Sequence, residues 1–199
     1  MGQTRLLTNI IQRKVMLPEE MSPSMQRDNF EVALTDFEKH AIIKCLFKAD
    51  NQRSTECWSV REIANFIGNC TEDQNINLCI LYWKDIHGNI YIIDGAHRLS
   101  SIYAWVKRYF ADEQATQAPN FSDQQKEDIR DLRNHLGDLA DFQKICIDPK
   151  FAEQKSKLDD IKISFRQVLG TPEDARRVFQ SINSDTKRLD KYEEYHLRS

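Results

Sequence analysis

Helical apolar spacing alternates along the chain with short unbroken hydrophobic runs, and the order of these patterns predicts its elements. Thr35-Asp36-Phe37-Glu38 has the form of a capping box. Phe37, Ala41 and Cys45 then share a face with Ile42 and Leu46 beside them, which predicts a helix to about Ala49. Ser59-Val60-Arg61-Glu62 is a second capping box, followed by the stripe Ile63, Ala64, Phe66 and Ile67 and expected to end at Gly68. Leu78–Trp83 and Ile90–Ile93 are continuous apolar runs on either side of Lys84-Asp85-Ile86-His87-Gly88-Asn89, which reads as a hairpin of largely buried strands. The second run stops at Asp94-Gly95. From His97 the period becomes helical, with Leu99, Ile102, Tyr103, Val106 and Phe110 on one face.

The flanking segments are weaker in pattern. Residues 1–33 carry Pro18, Ser22-Pro23-Ser24 and Arg27-Asp28-Asn29 and read as an N-terminal arm with one short helix, its Leu6, Leu7, Ile10 and Ile11 packing on the body. Residues 34–199 read as a single domain. Within it, residues 111–160 are polar, with a cap at Ser122–Gln125 and only Leu132, Leu136 and Leu139 as a sparse apolar set. They are expected as a surface insertion, most clearly at Gln117–Glu127. Alternation at Ile161, Ile163 and Phe165 predicts a strand ending near Gly170. Thr171-Pro172-Glu173-Asp174 then opens a last helix through Ala175, Val178, Phe179 and Ile182, ending at Asn183-Ser184-Asp185. The fold class expected is α+β, a small mixed sheet with surrounding helices.

Composition narrows the function. A chain of 199 residues, 40% hydrophobic and 30% charged, has the balance of a globular domain with one sizeable core. It holds no apolar run of membrane-spanning length and no secretion signal, so neither a membrane nor export is expected. Cys45, Cys57, Cys70, Cys79 and Cys146 form no CxxC pair and read as reduced thiols of a cytoplasmic protein. A net charge of −3 argues against gripping DNA by charge alone and leaves a local basic groove open. The linker between the first two predicted helices is too long for a helix-turn-helix, so these helices are read as core.

The chemistry concentrates where the second buried run ends. A strand that turns directly into a helix presents several backbone N–H groups at one spot, with the positive end of the helix dipole behind them, and phosphates favour that place. Gly95 allows a turn closed to other residues and a close approach by a ligand. Arg98 offers a planar fork of donors, His97 a proton near neutral pH, and Ser100 and Ser101 hydroxyl groups; Asp94 can hold a magnesium ion or orient a water. Taken singly, each has a plainer role: Asp94 as a cap, Gly95 as a turn glycine, His97 and Arg98 as solvated first-turn residues. Arg176, Arg177, Lys187 and Arg188 form a basic cluster that reads as a solvated helix face or as a contact to phosphates. Trp58, Trp83 and Trp105 read as core or rim packing.

Ile92-Ile93-Asp94-Gly95-Ala96-His97-Arg98-Leu99 resembles the DGQHR/DGQQR signature of the ParB/sulfiredoxin-like superfamily. The likeness is strongest to the N-terminal nucleotidase domains of modification-dependent restriction systems and to the DGQHR proteins of DNA phosphorothioation. Ala175–Leu189, reading ARRVFQSINSDTKRL, resembles a later motif of those domains, and the Ser59–Phe66 segment stands in their order. The resemblance spans residues 59–194. It implies a ParB/sulfiredoxin-like fold in which Asp94, His97 and Arg98 act on a nucleoside triphosphate with Mg2+, Asp94 being the metal partner. Gly95, Ala96, Ser100, Ser101, Arg176 and Asn183 are the implied nucleotide or phosphate contacts, Asn183 approaching from the opposite side.

The implied function is nucleotide binding and hydrolysis in a bacterial or phage DNA-modification or defence context, with nucleotide, DNA or a nuclease as partner. Two departures qualify the pattern: the usual glutamine is Ala96, and it is not the cysteine that sulfiredoxins use, so their redox chemistry is not expected. His40, His87, His97, His135 and His196 show no His/Asn/His nuclease arrangement, so DNA cutting is not expected of this chain itself. A non-catalytic DNA- or protein-binding module that keeps the phosphate pocket is the competing reading, and a small-molecule kinase a third.

Overall fold

The computed structural model describes residues 4, 6–7, 10–17, 28–49, 58–72, 76, 78–111 and 121–182. At its centre is the expected hairpin: β4 (Cys79–Lys84) and β5 (Ile90–Asp94) pair antiparallel, with a bulge between Leu81 and Tyr82. The turn between them is organised by Asp85. Its buried carboxylate accepts the backbone N–H groups of His87 (2.9 Å) and Asn89 (2.8 Å), Asn89 Nδ2 (2.6 Å) and the Tyr91 hydroxyl (3.2 Å). Four donors on one carboxylate offset the cost of burying it.

Six strands form one mixed sheet in the order β1-β3-β5-β4-β6-β2. β3 (Leu46–Ala49) runs parallel to β5, and β6 (Lys162–Gln167) runs parallel to β4. The edges are β1 (Arg13–Lys14), parallel to β3, and β2 (Phe30–Ala33), antiparallel to β6. One face carries the main core and packs against α1 (Val60–Glu72), α2 (Ala96–Val106), α3 (Asp123–Leu136), α4 (Phe142–Ile147) and α5 (Ala152–Asp160). The other face carries a smaller core of Met16, Ala49, Trp83, Tyr91 and Ile93, closed by Ala175, Val178 and Phe179 of α6 (residues 172–182). Ile90 and Ile92 therefore enter one core while Tyr91 and Ile93 enter the other, which is why β5 reads as an unbroken apolar run. None of the helices among the described residues is long and apolar enough to cross a membrane.

Three expected helix starts are observed as capping boxes. Ser59 and Glu62 exchange bonds at the start of α1, Ser122 and Gln125 at α3, and Thr171 and Asp174 at α6. Three expectations are corrected. The helix predicted over residues 35–49 is two 3-10 segments, Leu34–Lys39 and Ala41–Cys45, followed by β3. His40 stands in extended conformation between them, and Leu46, Phe47 and Lys48 pair with Ile90, Tyr91 and Ile92, so sheet pairing overrides the local helical period. Helix α1 runs past Gly68 to Glu72, where a side chain at Gly68 would meet no neighbour and Ile67 and Cys70 carry the buried stripe onward.

Among its described residues the arm supplies both edge strands, and Leu6, Leu7, Ile10 and Ile11 are buried as expected; residues 1–3, 5, 8–9 and 18–27 of the arm lie outside the described residues. Residues 111–160, expected as a surface insertion, place Ile129, Leu132, Leu136, Phe142, Ile145 and Leu158 in the main core. The part of that stretch over residues 112–120 lies outside the described residues, as does Cys57.

β3 carries an unusual core residue. Lys48 is 1% exposed and its Nζ donates to the Leu7 carbonyl at 3.3 Å. Burial, with the positive charge of Arg13 adding to it, lowers its ammonium from 10.5 to about 8. The folded protein thus holds this proton less tightly than the unfolded chain, so Lys48 costs stability below pH 8, and the cost fades between pH 8 and 10.5. Urea unfolding should find Lys48→Met more stable than wild type at pH 7, with the gap narrowing by about 3 kcal/mol towards pH 10.5. A gap independent of pH would show that Lys48 keeps its ordinary proton affinity.

Candidate anion-binding turn

The chain leaves β5 at Asp94 and enters α2 at Ala96 through one residue, Gly95, which has φ 89° and ψ 13°. That left-handed conformation suits glycine, and the packing reinforces it. A Cβ on Gly95 would lie 2.6 Å from Ile80 Cδ1, 3.3 Å from the Cys79 carbonyl oxygen and 3.3 Å from Arg98 Nη2. The first intrahelical bond, Leu99 N–H to the Gly95 carbonyl at 2.9 Å, closes the turn. The backbone N–H groups of the preceding three residues stand at the positive end of the helix.

Asp94 and Arg98 meet across this turn. Arg98 Nη2 lies 3.0 Å from Asp94 Oδ2, with the two side chains 26% and 40% exposed respectively. Solvent therefore reaches both groups, and the pair is open to exchange for another anion on the guanidinium. A monodentate exposed pair of this kind contributes only about 0.5 kcal/mol, so its rupture costs little.

The other expected site residues are distributed differently. Ala96 is 8% exposed and packs in the main core. His97 is half-buried and turns its ring onto Trp58, with centroids 5.5 Å apart and planes inclined by 17°. Ser100 and Ser101 are fully buried, so neither hydroxyl is offered to solvent. Ser101 Oγ donates to the His97 carbonyl at 2.9 Å, whereas Ser100 Oγ has no hydrogen-bond partner among the described residues.

Arg176 lies on α6, which packs against the sheet face opposite α2, and donates to Glu173 (2.9 Å) and to the Met16 carbonyl (3.0 Å). Arg177 pairs with Asp174 at 3.3 Å. Asn183, Lys187 and Arg188 lie outside the described residues. Asp94, His97 and Arg98 are thus the half-buried members of the turn, while Gly95, Ala96, Ser100 and Ser101 are buried. Trp58 was not singled out as a site residue from the sequence, because nothing in its local pattern signals contact with a residue so far along the chain.

Among the described residues no group of three or more His, Cys, Asp or Glu side chains could hold a metal ion. A lone carboxylate such as Asp94 fits magnesium only as one ligand of an ion that keeps waters and takes phosphate oxygens for the rest. Comparison of the chain with protein-family models, with curated proteins and with solved structures gives no match.

Two substitutions test this description. Gly95→Ala combines a left-handed alanine with a clash on Ile80 and should cost about 3 kcal/mol in urea unfolding. Ser100→Ala removes a buried hydroxyl that has no partner among the described residues and should raise stability by about 1 kcal/mol. A loss of stability in Ser100→Ala would mean that the hydroxyl is satisfied.

Proposed function

We propose that the Asp94–Arg98 turn binds the phosphates of a nucleoside triphosphate with Mg2+ and promotes its hydrolysis, in a cytoplasmic protein of bacterial or phage DNA modification or defence. The observation that carries this reading is the Arg98 guanidinium, paired with the half-buried Asp94 carboxylate over a glycine turn at a helix start. An incoming phosphate replaces Asp94 on Arg98 and takes the first-turn N–H groups as further donors. Asp94, released, meets the magnesium ion that the polyphosphate brings, so the two charges part without either being left unpaired. Phosphoryl transfer needs mainly positioning and charge neutralisation, which these groups supply.

The class assignment rests on the DGAHR segment and its resemblance to ParB/sulfiredoxin-like domains. The six-stranded mixed sheet, with a β-hairpin feeding the motif helix, agrees with that reading.

Melting in a panel of ATP, GTP, CTP and inorganic pyrophosphate, each with and without Mg2+, gives the primary test. A ligand at a hundredfold its Kd should add about 2.7 kcal/mol of stability. Arg98→Ala should abolish the gain, and Asp94→Ala should remove its dependence on Mg2+. Phosphate release that is equal in wild type, Asp94→Ala and Arg98→Ala would eliminate the hydrolytic role. Salt-sensitive retention of DNA without any nucleotide effect would favour a non-catalytic binding module instead.

A further inference from the structure

Where Phe47 of β3 and Tyr91 of β5 meet, on the sheet face that packs against α6, a cation is held by two rings and a carboxylate. The cation is the ammonium of Lys14. Its Nζ lies 5.3 Å from the Phe47 ring centroid, 5.7 Å from the Tyr91 centroid and 3.9 Å from Asp85 Oδ2 at the hairpin turn. Both rings are within the distance at which an aromatic face attracts a positive charge. Phe47 and Tyr91 are paired in register, with centroids 5.9 Å apart and planes inclined by 36°, and Tyr91 in turn tilts against Trp83 at 5.4 Å.

The site and its occupant are held by different means. Tyr91, Trp83 and Asp85 are buried and Phe47 is half-buried, and the Tyr91 hydroxyl donates to Asp85 Oδ2 at 3.2 Å, which fixes the ring against the turn. Lys14 comes instead from an edge strand of two residues, and its side chain is 36% exposed. Withdrawal of the lysine would therefore leave the rings and the carboxylate in place.

The carboxylate also decides which cation fits. An ionised carboxylate has about four positions for hydrogen-bond donors. Those of Asp85 are filled: Oδ1 accepts the His87 and Asn89 backbone N–H groups, and Oδ2 accepts Asn89 Nδ2 and the Tyr91 hydroxyl. Lys14 Nζ, at 3.9 Å, is beyond hydrogen-bond reach of Oδ2. The carboxylate thus offers charge without a vacant acceptor. A primary ammonium gives up hydration of its N–H donors there without replacement, whereas a quaternary ammonium has no donors to satisfy.

We propose that Phe47, Tyr91 and Asp85 form a binding site for a quaternary ammonium group, which Lys14 occupies as a tethered competitor in the free protein. The incoming N-methyl groups take the place of the ammonium against the two rings. Lys14 swings out to water, where its three donors are satisfied. This site does not depend on the anion-site reading of the Asp94–Arg98 turn.

Tetramethylammonium chloride is the probe, with methylammonium chloride and sodium chloride at equal concentration as controls, and NMR titration of the full chain gives the affinity. Lys14→Ala removes the competitor and should bind tetramethylammonium about fivefold more tightly than wild type. Methylammonium should bind more weakly than tetramethylammonium to both proteins, and nuclear Overhauser contacts should join the ligand methyl groups to the Phe47 and Tyr91 rings. Added to Lys14→Ala, Phe47→Leu keeps an apolar side chain and should lose about fivefold in affinity, while Phe47→Tyr keeps the aromatic face and should lose none. Urea unfolding checks that each variant is folded. No binding by Lys14→Ala, equal affinity in wild type and Lys14→Ala, or equal affinity for the two ammonium ions overturns the proposal. Affinity undiminished by Phe47→Leu, or lost in Phe47→Tyr, does the same.

Discussion

The left-handed turn at Gly95 is the constraint on which the arrangement around it depends. β5 is buried on both faces, so its chain can leave only at the end of the strand, and α2 must then fold back onto the main core through Leu99 and Ile102. One residue makes that reversal, pressed against Ile80 and the Cys79 carbonyl, with no room for a side chain. The same tightness sets Asp94 and Arg98 face to face across the buried Gly95. A longer or looser connection would leave two unrelated surface charges. Rigidity at the turn and exchangeability of the ion pair coexist because the first comes from packing and the second from exposed side chains.

The described residues of the N-terminal segment, Thr4, Leu6, Leu7 and residues 10–17, take part in this architecture alongside the central sheet. Thr4 ties Trp58 to α3, the Leu7 carbonyl accepts from the buried Lys48, and the Met16 carbonyl accepts from Arg176. Lys14 adds an edge contact, its ammonium lying 5.3 Å from the Phe47 ring centroid and 5.7 Å from that of Tyr91. Through Trp58 this segment reaches His97, and through Met16 it reaches α6. Described residues of this one segment thus reach both faces of the sheet.

What could be read from the sequence was what short-range physics decides. The three capping boxes need only four residues each, and Gly170 before Thr171, like Gly95 before Ala96, marks a stop in the neighbouring pattern. The hairpin announced itself because both of its strands send apolar side chains into both cores. Leu46–Ala49 misled because its apolar positions fit a helical period, and only the neighbouring β5 shows that they belong to a strand. Edge strands of two and four residues are too short to carry a pattern, so β1 and β2 were invisible within the arm. At the site, Asp94, Gly95 and Arg98 were legible from one pentapeptide. The burial of Ser100 and Ser101, the stacking of His97 on Trp58 and the position of Lys48 depend on residues distant in sequence, which no local window contains.

The central claim is that this turn receives a phosphate on Arg98 and on the first amides of α2. Backbone amide shift mapping during titration with magnesium pyrophosphate tests it most directly. The account predicts the largest perturbations at Ala96, His97 and Arg98, saturating together and absent from Arg98→Ala. Perturbations centred elsewhere on the protein, or equal in Arg98→Ala, would contradict it.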